Sequence, residues 1–227
     1  MKSEHSGRMK LVDLVSRIVP SMFFLIIVAR NLADLYSVLT GSTGGATRGT
    51  WMMAANIMGR VSTTCFLGLM SALFLIRMAP LQKAQGIWPR VMAIVGTFCL
   101  YSMTLFPRAN LSITQTMIAT TISLIGTCLS IFALVHLGRS FSLMAEARRL
   151  VTSGPYRLVR HPLYLFETIA SFGILLQFLS FTTVIIFLVY ILIQLQRMKN
   201  EELILERVFP EYHDYRLRTN RVIPKIY

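Results

Sequence analysis

The sequence predicts an all-α membrane protein, a polytopic bundle of about five to six transmembrane helices built from apolar runs of roughly 20 residues each. Of the 227 residues, 54% are hydrophobic and only 15% are charged, and the mean hydropathy is +0.59. Soluble domains carry about 25% charged residues, so this composition indicates a chain surrounded by lipid. A chain of this length has room for one membrane domain and little else.

The apolar runs predict where the helices lie. We expect four helices in the first part of the chain, at residues 11–29, 61–76, 91–106 and 111–137. Pro20 predicts a kink in the first helix. The last apolar region, residues 163–195, is too long for one span, and its polar interruption at residues 177–180 predicts a tight turn between two helices. The last two segments are therefore predicted to form a helical hairpin.

The distribution of basic residues predicts the orientation in the membrane. With both termini in the cytosol, most of the 23 Lys and Arg residues fall in cytosolic segments, whereas Arg30, Arg48 and Arg108 fall outside. Basic residues concentrate in cytoplasmic loops, which favours this orientation. The net charge of +13 is then explained by anionic membrane lipids as partners, with no nucleic acid. We expect a multi-pass protein of a bacterial inner membrane, an organelle membrane being the alternative.

The three cysteines give no indication of a metal site. Cys65, Cys99 and Cys128 lie in three different apolar stretches, and no spacing typical of metal ligands is present. Buried thiols usually act as small apolar packing groups. We therefore expect packing roles for these residues and no metal in the site.

Residues 150–164, with the sequence LVTSGPYRLVRHPLY, form the first polar segment that suggests chemistry. The Gly-Pro pair in its centre predicts a turn. Pro162 predicts the start of a helix, where its missing N–H has no cost. His161 and Tyr164 are thereby placed at the mouth of the hairpin. The alternative is an interfacial loop that anchors to lipid headgroups through its arginines and tyrosine, and spacing alone favours neither interpretation.

Residues 197–206 form the second such segment. On a helix, Arg197 and Glu201 are one turn apart and share a face, whereas Glu202 points about 100° away. A surface ion pair between Arg197 and Glu201, which would contribute under about 0.5 kcal/mol, is the alternative to a functional role. Ionisable residues at the end of a membrane helix tend to be functional, which favours the latter.

Together, these segments resemble the isoprenylcysteine carboxyl methyltransferase family and its relatives, the phospholipid N-methyltransferases. The shared elements are Gly-Pro-Tyr-Arg at 154–157, Arg-His-Pro-x-Tyr at 160–164, an Arg-x3-Glu-Glu-x2-Leu element that begins at Arg197, and then Phe209-x2-Tyr212-x2-Tyr215. The resemblance covers about residues 136–224. Residues 1–137, which show only a hydrophobic pattern, are predicted to be N-terminal transmembrane helices. Residues 138–227 would be the catalytic part, made of a cofactor loop, the hairpin and a cytosolic C-terminal helix.

The resemblance implies an S-adenosylmethionine-dependent methyltransferase with a cytosol-facing cofactor pocket. Residues implied to bind the cofactor are Leu150, Val151, Tyr156, His161, Pro162, Tyr164 and Glu201. Arg197 is implied to bind the methyl acceptor, and catalytic roles are implied for Arg197, Glu201 and Glu202.

The chemical class of the acceptor stays open at the level of sequence. The resemblance implies a lipid-like or small apolar molecule that carries a carboxylate, an amine or a thiol. A carboxylate needs no base and would use Arg197. An amine must lose a proton, for which His161 and Glu202 are candidates. Two alternatives from other classes are a non-catalytic membrane scaffold that keeps the hairpin and a transport-related protein.

Overall fold

A computed structural model describes residues 2–40 and 50–224, with side chains from residue 14 in the first range and from residue 53 in the second. It confirms an all-α helix bundle. The helices are α1 (Lys2–Leu39), α2 (Thr50–Ile76), α3 (Trp88–Met103), α4 (Ile113–Leu137), α5 (Pro162–Gln177), α6 (Phe181–Val208) and α7 (Tyr212–Arg218). Two short strands that the sequence did not predict, β1 (Gln82–Lys83) and β2 (Glu146–Ala147), pair in antiparallel register.

Four helices are long and apolar enough to cross a membrane, which confirms a multi-pass membrane protein. These candidate spans are residues 14–39, 53–76, 113–140 and 181–208. Helices α3 and α5 contain only 16 residues each. At 1.5 Å per residue such a helix is about 24 Å long, less than the hydrocarbon core of about 30 Å. Of the five to six predicted spans, four are therefore confirmed as full-length helices.

The predicted boundaries of three helices differ from the observed ones for identifiable reasons. Helix α1 continues to Leu39, ten residues beyond the predicted end, although Pro20 lies inside it. The charge of Asp34 in this added part is compensated, because Asp34 pairs with Arg60 of α2 at 3.0 Å. The same pair allows α2 to begin before its predicted start. Helix α3 ends at Met103, before the predicted end at residue 106. Pro107 disfavours helical geometry for the residue that precedes it.

The helical hairpin is confirmed. Helix α5 ends at Gln177, and Ser180 begins α6 with a capping box in which Ser180 and Thr183 bond each other's backbone N–H groups. The two helices diverge after the turn, because α5 packs mainly against α4 and α6 mainly against α3.

Glycines bring α4 and α5 into close contact. A Cβ atom on Gly126 of α4 would lie 2.3 Å from the backbone nitrogen of Ala170, and one on Gly173 of α5 would lie 2.3 Å from Ser123 Oγ. Small residues at such positions let two membrane helices approach until their backbones touch. This contact fixes the position of α5, whose first turn carries the predicted site residues.

Arginines assigned to one side of the membrane by the charge pattern meet at one end of the bundle. Arg17 Nη1 donates to the carbonyl of Arg77 at 2.8 Å, and Arg77 Nη2 donates to the carbonyl of Ser16 at 3.0 Å. Arg139 Nε donates to the carbonyl of Ile76 at 2.9 Å. The ends of α2 and α4 are thus joined to the start of the membrane-spanning part of α1, where the polar loop of residues 138–161 begins.

Substitution of Gly126 by alanine is expected to destabilise the bundle. The added methyl group would overlap the backbone of α5, and overpacking of this kind reduces the free energy of unfolding by about 1–3 kcal/mol. Gly68→Ala in α2 is the matched control, because a Cβ atom there has no neighbour within 4 Å. The measurement is denaturant unfolding of both variants in detergent micelles. Equal stability of the two variants would contradict the tight α4–α5 contact.

Candidate active site

The loop between α4 and α5 has a fixed shape. Tyr156 and Pro155 are buried in a single 3₁₀ turn, Gly154–Arg157. Gly154 has φ +60°, and a Cβ atom there would lie 2.1 Å from the His136 ring, so only glycine fits. His161 then forms the N-cap of α5, with Pro162 as its first residue, as the sequence predicted.

The C-terminal segment, residues 219–224 after α7, holds the end of this loop. The backbone N–H of Arg160 donates to the carbonyl of Asn220 at 2.8 Å, and that of His161 donates to the carbonyl of Arg221 at 3.0 Å. Tyr215 of α7 donates to the carbonyl of Tyr156 at 2.5 Å. The chain beyond α6 therefore returns to the loop and fixes its backbone.

The carboxylate of Glu202 is the centre of a buried ion cluster. It accepts from Arg160 Nε at 3.0 Å, from His161 Nε2 at 3.1 Å and from Arg221 Nε at 3.1 Å, and Arg221 Nη2 also contacts its second oxygen. The Glu202 side chain is only 7% exposed. A carboxylate that accepts this many bonds is held in place, and removal of a partner from such a cluster is strongly destabilising. Glu202 therefore ties α6 to the loop and to the C-terminal segment.

Glu201, the preceding residue, points in another direction. Its carboxylate accepts a close hydrogen bond from the hydroxyl of Tyr164 and lies 3.9 Å from His161 Nδ1. His161 thus lies between the two glutamates, with one ring nitrogen towards each. Since the Glu202 carboxylate can only accept, His161 Nε2 is the donor in its bond to Glu202.

Arg197 lies one turn before Glu201, and within the described part of the chain the two make no ion pair. Arg197 Nη1 donates to Gln194 Oε1 at 2.8 Å, and Nη2 donates to the carbonyl of Leu143 at 3.2 Å. Its guanidinium lies over the Tyr164 ring, 5.0 Å from the ring centre. The alternative of a surface ion pair between Arg197 and Glu201 is therefore wrong. Three partners hold the plane of the guanidinium group in place.

A cavity of about 330 Å³ brings most of the predicted residues together. Ligand cavities usually measure about 300–1,000 Å³, so this one is in the usual range. Seven predicted residues line it: Leu150, Val151, Tyr156, His161, Tyr164, Arg197 and Glu201. Pro162 and Glu202 do not. Pro162 is buried at the start of α5, and Glu202 is in the ion cluster behind His161.

Several polar residues of the cavity were not predicted from the sequence. The most notable are Glu167, Tyr190 and Gln194, which lie within the apolar stretches of α5 and α6. Gln194 Nε2 donates to the Tyr190 hydroxyl at 2.8 Å and to Glu167 Oε2 at 3.3 Å. The available signal was the carboxylate itself, because an ionisable residue inside an apolar membrane helix points to function.

Two tyrosines offer hydroxyl groups without protein partners. Tyr156 and Tyr212 both line the cavity, and in the described part of the chain neither hydroxyl makes a hydrogen bond. Burial raises the pKa of the Tyr156 phenol well above its ordinary value, so the hydroxyl keeps its proton at physiological pH. A buried hydroxyl without a partner is costly, so both hydroxyls can donate to an acceptor atom in the cavity.

The comparisons with known proteins concern this same region. Residues 117–207 match the model of the isoprenylcysteine carboxyl methyltransferase family. The chain is 32% identical over 83 residues to the nickel-cobalt-cadmium resistance protein NccN of Alcaligenes xylosoxydans xylosoxydans, and the match covers 36% of this chain and 38% of that protein. It is 35% identical over 79 residues to the cobalt-zinc-cadmium resistance protein CzcN of Cupriavidus metallidurans, which covers 34% of this chain and 36% of that protein.

The chain therefore spans little more than a third of the length of these curated relatives in the matched region. The family match includes most of α4, the loop, α5 and nearly all of α6, which together supply most of the polar cavity wall. The resemblance predicted from the motifs is thus confirmed: residues 117–207 carry the pattern of the isoprenylcysteine carboxyl methyltransferase family.

Proposed function

We propose that this protein is an integral membrane S-adenosylmethionine-dependent methyltransferase that acts on an amphiphilic acceptor. The observation that carries the proposal is a single cavity whose wall combines polar residues of the family motifs with apolar residues of the helix bundle. The apolar residues come from α1, α2, α3 and α5: Phe24, Phe66, Leu67, Met70, Leu100 and Ile174.

The two kinds of cavity wall suit two reactants of different polarity. A polar cofactor finds His161, Glu201 and the Tyr156 hydroxyl in the wall. An apolar tail is stabilised by the apolar part of the wall, because burial of apolar surface contributes about 25 cal/mol per Å².

The polar residues of the cavity fit the cofactor. When bound, S-adenosylmethionine supplies a methyl group on a positively charged sulfur. Glu201 offers a carboxylate for the ammonium group of the cofactor, and the unpaired hydroxyl of Tyr156 offers a donor. Leu150 and Val151 supply backbone and apolar contacts, and Tyr164 holds Glu201 in place. Pro162, which does not line the cavity, acts by fixing the start of α5.

The protein's part in methyl transfer is alignment and exclusion of water. Alignment of two reactants at close distance can supply about 7–11 kcal/mol of the barrier. Arg197 lies between Gln194 and Glu201 along α6. Its guanidinium plane is held in place by Gln194, Leu143 and Tyr164. We propose that its guanidinium faces the acceptor. Glu202, which the sequence suggested as a catalytic residue, is proposed to position His161 through their bond.

The orientation in the membrane is part of the proposal. The loop of residues 138–161 and both termini are placed on the cytosolic side by the charge pattern, so that the cofactor reaches the site from the cytosol. Reporter fusions after Arg149 should show cytosolic activity, and fusions after Arg108 should show the opposite. A non-cytosolic signal after Arg149 would overturn this orientation.

Glu201→Gln is expected to weaken binding of S-adenosylhomocysteine, the demethylated product, about 10-fold. The variant keeps the acceptor for the Tyr164 hydroxyl but removes the charge for the ammonium group, and charge-assisted hydrogen bonds contribute about 1.5–3 kcal/mol. Tyr156→Phe should weaken binding less, by a few-fold. Titration calorimetry on purified protein measures both. Glu206→Gln, the same change at an exposed position of α6, is the control. Absence of binding to the parent protein would favour the non-catalytic scaffold.

Arg197→Ala is expected to lower turnover at least 10-fold and to leave cofactor affinity within about 2-fold. Arg197→Lys should restore little activity, because an ammonium cannot bond Gln194 and Leu143 in one plane while stacking on Tyr164. The measurements are label transfer from methyl-labelled cofactor into extracted lipids and calorimetry, side by side. Parental turnover in Arg197→Ala would remove Arg197 from the site.

A further inference from the structure

We propose that the segment between α2 and α3 binds the headgroups of anionic phospholipids at the membrane surface. The binding residues are Leu81, Lys83, Ile87, Trp88 and Arg90, which together are called the α2–α3 surface. The inference goes beyond the methyltransferase function and does not depend on it. It is carried by exposed apolar side chains, by an excess of positive charge and by the depth at which this segment lies.

Three large apolar side chains of the α2–α3 surface lie outside the protein core. Leu81 is 66% exposed, Ile87 is 76% exposed and Trp88 is 60% exposed. All three follow the candidate span of α2, which ends at residue 76. Apolar side chains that are exposed together beside polar ones mark contact with a membrane or with another protein.

Basic side chains lie next to these apolar ones. Leu81 and Lys83 are two residues apart at β1 and both are exposed, whereas Gln82 between them is partly buried. Alternate side chains of an extended segment point to the same side. At the start of α3 the backbone N–H of Arg90 donates to the carbonyl of Ile87 at 3.0 Å, and residues three apart on a helix are neighbours. Each basic residue is thus beside an exposed apolar one.

Residues 77–90 and the segment that pairs with them, residues 138–149, are strongly basic. The two segments carry six basic residues and one acid: Arg77, Lys83, Arg90, Arg139, Arg148, Arg149 and Glu146. Glu146 contacts Arg148 and lies 3.8 Å from Lys83 Nζ, so it offsets only part of this charge. Arg90 and Arg149 are exposed, and within the described part of the chain neither makes a hydrogen bond or an ion pair. The carboxylates of α6 face the cavity or pair with other arginines.

The lengths of the neighbouring helices place this segment at the edge of the membrane. The span of α2 ends at Ile76, and a chain extends at most about 3.6 Å per residue, so Leu81 lies within about 18 Å of that end. Helix α3 starts at Trp88 and is about 24 Å long, less than the hydrocarbon core of about 30 Å. Its first turn therefore stays near the boundary between hydrocarbon and headgroups, where tryptophan is enriched in membrane proteins.

An anionic phospholipid fits both features of the α2–α3 surface. Its phosphate is attracted to Lys83 and Arg90, because basic residues beside a membrane helix bind anionic headgroups. Its acyl chains take up the exposed apolar side chains. A zwitterionic lipid offers the same acyl chains without net negative charge, and an acidic soluble protein would leave Trp88 outside the bilayer. The combination of charge and depth therefore favours the anionic lipid.

The α2–α3 surface is joined to the wall of the cavity. Three backbone N–H groups of residues 78–84 donate to carbonyls of residues 139–147 at 2.8–2.9 Å. Within the second range lies Leu143, whose carbonyl accepts from Arg197. A lipid that holds the α2–α3 surface in place thereby steadies one of the partners of Arg197.

The test uses the fluorescence of Trp88 in the full chain. Trp51 and Trp88 are the two tryptophans, so Trp51→Phe leaves Trp88 as the single reporter. The protein is reconstituted in vesicles of equal parts phosphatidylcholine and phosphatidylglycerol, with bromine near the top of the acyl chains of one lipid or of the other. Bromine quenches tryptophan at close range. Quenching should show a local preference for phosphatidylglycerol of about 5-fold, which decreases when salt is added.

Two double variants in the Trp51→Phe background show whether the named cations are responsible. Lys83→Gln with Arg90→Gln should remove the preference and leave quenching by phosphatidylcholine. Arg207→Gln with Arg218→Gln is the matched control, because it removes the same charge from exposed positions of α6 and α7 and should leave the preference unchanged. Equal melting temperatures in neutral detergent show that both variants fold.

Three results would overturn the inference. Equal quenching by the two brominated lipids would show that the surface does not select anionic headgroups. Quenching by neither lipid would show that Trp88 lies away from the membrane. A preference that survives Lys83→Gln with Arg90→Gln would show that these two cations do not create it. The methyltransferase function stands or falls separately, by the binding of S-adenosylhomocysteine.

Discussion

The site depends on one carboxylate, that of Glu202. It joins the loop through Arg160, the start of α5 through His161, and the C-terminal segment through Arg221. These segments are far apart in the sequence, and the carboxylate is the acceptor that they share. Since Glu201 is the neighbouring residue on α6, the cluster also fixes the direction of Glu201. Glu202 is thus the anchor, and the preceding residue, Glu201, is available to the cavity.

How much of this could be predicted from the sequence differs between the two glutamates. Helical periodicity places Glu201 and Glu202 about 100° apart but cannot show which one faces a ligand. Their roles are decided by Arg160, which precedes α6 in the sequence, and Arg221, which follows it, because both bond Glu202. The motif residues of the loop were predictable, because a Gly-Pro turn and a proline at the helix start impose local geometry. That geometry brought His161 and Tyr164 to the cavity, as expected.

Glu167 and Gln194 show where prediction from the sequence stops. Each is a single polar residue in an apolar run, and 27 residues and a change of helix separate them. No spacing rule connects them, because their contact depends on how α5 and α6 lie after the turn. The end of α3 escaped prediction for a related reason. Hydropathy reports that a segment is apolar, but the end of a helix is set by local geometry such as Pro107 after α3.

The cavity itself follows from where the small residues are. Gly126 and Gly173 let α5 approach α4 until their backbones touch. On the other side, Gly96 of α3 leaves room for α6, since a Cβ atom there would lie 3.0 Å from Ile193 and 3.2 Å from Arg197. The two hairpin helices thus pack against different neighbours, α5 against α4 and α6 against α3, although a short turn joins them.

The gap that this divergence opens is the space between Tyr164 and Glu167 on one side and Gln194 and Arg197 on the other. Polar side chains fill the wall of this gap because they bond each other across it, so their removal from water is compensated. An apolar lining would close the gap by direct packing of α5 on α6. The same glycines that stabilise the bundle therefore keep the site open, and the polar contacts across the gap give it a fixed width.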